Sequence, residues 1–511
     1  MKKILALVLS ILLAFSCFVI AACAASCDCG NTPIVFVNGI NSRDLILDRG
    51  TENAKVVFPF SADDVIGIIK DNIGAFWDAL DGDISAENEA IIVAAVEQLL
   101  EGVEMNDDGT SKYNVSPDWD ITNNDVHKSG GHFTFIPDWR IDPMETAEQL
   151  KAFIDHVKEL TGHDTIKIIG FSQGAIFLNA YLSLYGYDGI EACVWNSGAM
   201  NGLEMVGQLW TEQIHVNSES LIGFLNESIG NSFGDNILSL FAGALLDSGV
   251  VDNVLKITNK ICDTVVNDKV IRDCLIGTVA KMPAMWAFLD DNYYELAKEK
   301  VFCNEGDTEK YAELISKIDN YHYNVQVKCG EIMDGMRDAC GRIGVIAKYN
   351  RYTTPLVDYY NIQSDGLIDT VRESCGATCA DIGTTLGDDY VQAIDDGHNH
   401  VSADNMIDAS TCRYPENTWF IKNLHHSSNG AYVDGLTNYI LNADHQVDVF
   451  EKEEYPQFAN FNVSTGEVSP LTEENANLSA ADKTSGGFLS FIKRIFDMLR
   501  TVLDMLTSFF R

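Results

Sequence analysis

Residues 165–174 read Thr-Ile-Lys-Ile-Ile-Gly-Phe-Ser-Gln-Gly, and Ser172, set between Gly170 and Gly174, is the clearest candidate nucleophile in the chain. A serine hydroxyl is a weak nucleophile alone; it needs a general base, and the base needs an acid to hold its ring. The β-branched run before Ser172 predicts a strand, and apolar residues at helical spacing over 175–185, stopping at Gly186, predict a helix. A strand–serine–helix junction lifts the hydroxyl clear of a sheet on a strained turn, and flanking glycines leave room for the backbones crowding it. Downstream, Gln363-Ser-Asp365-Gly-Leu-Ile-Asp369 offers two carboxylates. Asp365, followed by glycine just past a strand, suits an orienting acid better than Asp369; the alternative for both is a turn or calcium carboxylate on an acidic surface. For the base, Asp395-Asp-Gly-His398-Asn-His400-Val-Ser402 supplies two histidines after what reads as the last strand of a sheet. His398 is slightly favoured over His400, the other binding substrate or water. His425 and His426, past a further strand at 418–421, read as surface residues. The main-chain N–H groups of Ile40, behind Asn38-Gly39, and of Gln173 are the expected oxyanion donors.

These side chains need a scaffold. Residues 33–37 read as a short buried strand, 61–102 as an acidic, partly helical region, 105–130 as a polar loop and 133–136 as another strand. Asp142-Pro-Met-Glu145 has the form of a helix start, with Asp as cap, Pro in the first turn and Glu three residues on. Met144, Ala147, Leu150, Ile154, Val157 and Leu160 then recur at helical spacing until Gly162, and 190–195 gives one more strand. This β-α-β-α-β alternation predicts a mostly parallel, doubly wound sheet. From 202 to 341 the strand signal gives way to apolar helical segments such as 236–246 and 250–266. They predict a helical cap inserted over the sheet; a separate helical domain is the alternative. Alternation at 343–349 and 389–394 predicts strands that complete the sheet. The expected organisation is a leader at 1–25, a first core part at 26–201, the cap at 202–341 and a second core part at 342–464. A Ser/Thr/Glu/Asn/Ala-rich linker at 465–487 and an amphipathic helix at 488–511 follow.

At 511 residues and a net charge of −40, the body of the protein is a poor partner for nucleic acid or anionic lipid. Lys2 and Lys3, the apolar run 4–20 and Ala22-Cys-Ala24 form an export leader, and Ile20-Ala-Ala-Cys23 also resembles a bacterial lipobox. The expected location is therefore secreted or extracytoplasmic, with lipid attachment at Cys23 as a variant. Thirteen cysteines in an exported chain, Cys17 and Cys23 belonging to the leader, favour disulfides. Cys27-x-Cys29 and Cys375-x3-Cys379 lack paired zinc-type spacings, so no metal is expected. In the tail, Phe488, Ile492, Ile495, Leu499, Val502, Leu506 and Phe509 make one apolar stripe, and the segment carries a net +2. It suits a membrane interface or a self-associating helix.

Gly170-Phe-Ser-Gln-Gly174, Asp365-Gly-Leu-Ile-Asp369 and Gly397-His398 resemble the triad segments of palmitoyl-protein thioesterases. Asp138-Trp139-Arg140 ahead of an amphipathic helix, and Asn196-Ser-Gly198 after the next strand, resemble the lecithin–cholesterol acyltransferase and lipase group. The resemblance covers 33–200 and 343–442, with Asn38-Gly39 where the common pattern has His-Gly. It implies the α/β-hydrolase fold and acyl transfer without a cofactor. An exported serine hydrolase acting on carboxylic esters or lipids is the leading expectation. An acyltransferase or acyl-protein thioesterase on the same triad is the second, and a surface-anchored, non-catalytic interaction protein is the reading from another class. The oligomeric state is open.

Overall fold

The computed structural model describes residues 27, 29–40, 42–60, 67–68, 71–72, 74, 85–119, 131–213, 277–353, 361–463 and 465–476. Its centre is one sheet of eight strands. In chain order these are β1 Ile34–Val37, β2 His132–Phe135, β3 Ile166–Phe171, β4 Ile190–Asn196, β5 Ile343–Tyr349, β6 Thr418–Lys422, β7 Phe458–Asn462 and β8 Glu467–Pro470. Across the sheet they run β8-β7-β6-β5-β4-β3-β1-β2. All neighbours are parallel except β7 and β8. The fold is thus mixed α/β on a mostly parallel sheet.

Both faces of the sheet are covered, which is why its inner strands read as continuous apolar runs. Val35, Val37, Ile168 and Trp195 point into one layer, shared with helices α1 Pro143–Thr161, α2 Gly174–Tyr185 and α6 Cys329–Cys340. Ile34, Ile169, Val194, Ile346 and Ile421 point into the other, shared with α7 Gly430–Asn442. The α1 start is as the sequence reads. Asp142 accepts the Met144 N–H at 3.0 Å, Pro143 stands in the first turn, and Gly162 closes the helix at φ 70°. Between α2 and α6 lie α3 Glu204–Trp210, α4 Asp291–Val301 and α5 Ala312–Tyr321. Trp210, Trp286, Tyr294, Val301, Tyr311 and Leu314 give this helical region a core of its own. Segments 236–246 and 250–266, the leader and the tail at 488–511 lie outside the described residues. No helix among the described residues is long and apolar enough to cross a membrane.

One expectation fails here. Residues 389–394 form no strand: Val391 is 80% and Ile394 54% exposed. The loop is pinned instead by Asp408, whose Oδ2 accepts the Tyr390 hydroxyl at 2.7 Å and the Ala393 N–H at 2.8 Å. Its alternation reflects a tethered loop, and β6 takes the place in the sheet. The expected disulfides find no support among the described residues, where no two cysteines are joined; Cys262 and Cys274 lie outside them. Cys193, Cys329 and Cys412 pack as small apolar residues, as buried cysteines commonly do. Burial raises the Cys193 thiol well above its usual range and pushes Cys329 up to about 12.

Candidate active site

Strand order reverses between β1 and β3: the chain goes from β1 to β2 on one side and builds the rest of the sheet on the other. Loops at the carboxyl ends of such strands diverge and leave a crevice, the usual ligand position in open parallel sheets. Ser172 stands there, directly after β3, with φ 57°. Its main chain is fixed on both sides, the N–H donating to Asn196 O at 3.2 Å and the C=O accepting from Ala175 at 3.1 Å and Ala199 at 3.2 Å. A Cβ on Gly174 would sit 2.0 Å from Val37 O, so only glycine lets α2 begin under the end of β1. A Cβ on Gly39 would lie 3.0 Å from both Ser172 Oγ and Gln173 N, which places the Asn38-Gly39-Ile40 turn against the serine.

The histidine at Ser172 is His426. Its Nε2 lies 2.9 Å from Ser172 Oγ, and its Nδ1 is hydrogen-bonded to Asp365 Oδ2. With Nδ1–H donating to the carboxylate, Nε2 is left to accept the serine hydroxyl. His426 follows β6, and Phe171 stacks under its ring at 5.2 Å and 24°. The His426 N–H also donates to Asp365 O at 2.8 Å, so the acid and base loops are joined twice. Beneath them Lys348, buried in β5, donates to His426 O at 2.7 Å, Ser428 O at 3.0 Å and Asn429 Oδ1 at 3.3 Å. A buried ammonium needs such acceptors, and these belong to the loop that carries the base.

Asp365 Oδ1 accepts the N–H groups of Leu367 at 2.9 Å and Ile368 at 2.7 Å. Burial pushes this carboxyl up, but the charge and hydrogen bond of His426, the hydrogen bond from Glu373 and the Lys348 charge together hold it below the usual range. Glu373 is fully buried against it; ligand atoms of Asp365, Glu373 and His426 lie within 4.8 Å of one another. Glu373 Oε2 accepts the Lys348 main-chain N–H at 2.7 Å, whereas Oε1 is buried without a hydrogen-bond partner. Burial first, then the Asp365 charge and hydrogen bond, raise its carboxyl well above the usual range. Burial beside the Asp365 carboxylate thus favours the neutral form of Glu373.

The other expected residues are placed elsewhere. Neither His398 nor His400 reaches Ser172. His398 is exposed, its ring stacked on Phe450 at 4.5 Å. His400 is buried between Gln457 Oε1, 2.8 Å from Nδ1, and Asp396 Oδ2, 2.9 Å from Nε2. Both stand in the loop that replaces the expected last strand. Asp369 caps α3 by accepting the Glu204 N–H at 2.6 Å, and burial pushes its carboxyl up to about 7. The Gln173 amide, beside Gly39 and Ser172, and the Ile40 amide, one residue past Gly39, donate no hydrogen bond to a described residue. Gln173 is anchored by its side chain, Nε2 donating to Trp139 O at 2.9 Å. Next to it, Arg140 is fully buried and paired with Asp138 at 2.7 Å, so the Asp138-Trp139-Arg140 segment braces the nucleophile turn.

Comparison with known proteins adds little. No protein-family model matches the chain, and no curated protein matches it. Among solved structures it is similar to a chain of the Tle4–Tli4 complex, with 11% identity and a TM-score of 0.27 over 62% of this chain and 75% of that one. A likeness of that size bears on neither fold family nor activity.

Proposed function

We propose that the protein is a serine hydrolase of the α/β-hydrolase type that cleaves carboxylic esters through an acyl-enzyme. One observation carries the reading: the unbroken hydrogen-bonded run Ser172–His426–Asp365 at the crevice where strand order reverses. In this reading His426 takes the Ser172 proton as the oxygen attacks the acyl carbonyl. Asp365 keeps the imidazolium oriented and Glu373 holds Asp365. The Ile40 and Gln173 amides receive the oxyanion of the tetrahedral intermediate. His426 then returns the proton to the leaving oxygen, and water deacylates the serine.

The test is labelling of the purified protein by a fluorophosphonate probe, followed by oxygen and thiol esters of graded acyl length. Labelling that disappears in Ser172→Ala supports the proposal. Equal labelling of the variant, or none of the parent protein, would leave the surface-interaction reading. Faster turnover of thioesters than of matched oxygen esters would move the assignment to an acyl-thioesterase on the same residues.

A further inference from the structure

A second cluster of reactive side chains stands at the amino ends of β1 and β3, the end of the strands opposite Ser172, where α1 ends and the chain approaches β1. Cys29 Sγ lies 3.4 Å from His163 Nε2. Ligand atoms of Cys27, Cys29 and His163 all lie within 4.8 Å of one another. The cluster is built into the fold. The Cys27 N–H donates to Gly162 O at 2.8 Å, and Gly162, left-handed at φ 70°, turns the chain at the end of α1. His163 is only 7% exposed. Its Nδ1 is buried without a partner, so the ring is oriented through Nε2, toward sulfur.

We propose that Cys27, Cys29 and His163 form a binding site for a zinc-class cation, with a solvent-side ligand completing a tetrahedron. In a tetrahedral zinc site with Zn–S about 2.3 Å and Zn–N about 2.0–2.1 Å, sulfur and nitrogen ligands stand about 3.5 Å apart. The Cys29–His163 separation already has that value. Two thiolates and a neutral imidazole cancel the charge of a divalent ion, and the two thiol protons leave to solvent on binding. The carbonyl end of α1 adds a negative potential that favours a cation over an anion. Cys29, on the exposed side, leaves the fourth position open. The bound ion would clip the segment ahead of β1 to the end of α1, a cross-link that needs no disulfide partner.

The experiment titrates cobalt(II) into the reduced, metal-stripped full chain. The expected result is a thiolate-to-cobalt charge-transfer band that saturates at one equivalent and is removed by zinc. Cys29→Ser, at an exposed position where folding is not at stake, should weaken binding by well over about tenfold and bleach much of the band. Cys27→Ser should do the same, and zinc should raise the melting temperature of the parent protein but not of Cys29→Ser. Fluorophosphonate labelling should be equal in all three proteins, because the cluster lies away from Ser172. No cobalt band in the parent protein would overturn the proposal. So would a band unchanged in Cys29→Ser, which would assign the metal to other thiols.

Discussion

At the scale of single residues, the proposed function separates side chains that would do chemistry from those that hold them. Ser172→Ala should reduce ester turnover roughly 10⁶-fold with the melting temperature retained, since removing a triad member removes the whole relay. His426→Ala should cost several orders of magnitude in kcat, whereas His398→Ala should leave the rate within about twofold; parallel kcat measurements decide between them. Equal effects would detach the base from His426. Glu373 gives a finer test. Glu373→Gln keeps a neutral donor facing Asp365 and should hold kcat/KM within a fewfold. Glu373→Ala leaves Asp365 unsupported and should lose on the order of 10²-fold, mostly in kcat, as small misplacements of a catalytic group do. If the Gln variant shifted the acidic limb of the pH–rate profile downward, Glu373 would be ionised and its role as a proton donor excluded. The elbow serine was legible because everything that shapes it is local: the strand, the two glycines and the helix are contiguous in sequence. The approach of His426 to Ser172 was not, because it depends on which strand ends beside β3's neighbours. That order is set by pairing between distant segments. A usable signal was present nonetheless: Thr-Trp-Phe-Ile-Lys, a fully buried strand, leads through His425-His426 into the helix at Gly430, whereas 389–394 has no helix behind it.

At the scale of elements, Asp369 ties the acid loop to the helical region above the sheet. Its folded pKa of about 7 lies above the usual 3.8, so the native state keeps a proton that the unfolded chain has lost between those values. Stability from this residue is therefore complete below about pH 4, falls as pH rises to about 7 and then levels, a span on the order of 4 kcal/mol. Asp369→Asn, whose side-chain oxygen can still accept the Glu204 N–H, should flatten that slope. Denaturant midpoints at pH 5 and pH 8 measure it, and an unchanged difference between the two would show that Asp369 is ionised in the fold. The α1 and β3–α2 elements were readable from caps and periodicity, which act within a few residues. Among the described cysteines, Cys193 and Cys412 fill apolar positions that a valine or alanine could hold, so the number of cysteines reflects packing as well as cross-linking. A count of sulfurs carries no information about which ones face each other.

At the scale of the molecule, charge is divided unevenly. The chain carries −40 overall while its last 24 residues, 488–511, carry +2. We propose that this tail docks on an anionic lipid surface while the body stays clear of it. Truncation after Gly487 should abolish sedimentation with phosphatidylserine-containing vesicles while leaving ester hydrolysis intact; a change in oligomeric mass instead would make the tail a self-association helix. One further consequence concerns time. β4 ends at Asn196, and β5, its neighbour in the sheet, does not begin until Ile343. During synthesis, therefore, the β5-facing edge of β4 stands unpaired while residues 197–342 emerge, with its hydrogen-bonding groups open to other chains. The base arrives later still, 254 residues after the nucleophile. The proposed Ser172–His426–Asp365 relay therefore cannot close before residue 426 has been made, and a chain cut short of it would carry the serine without its base.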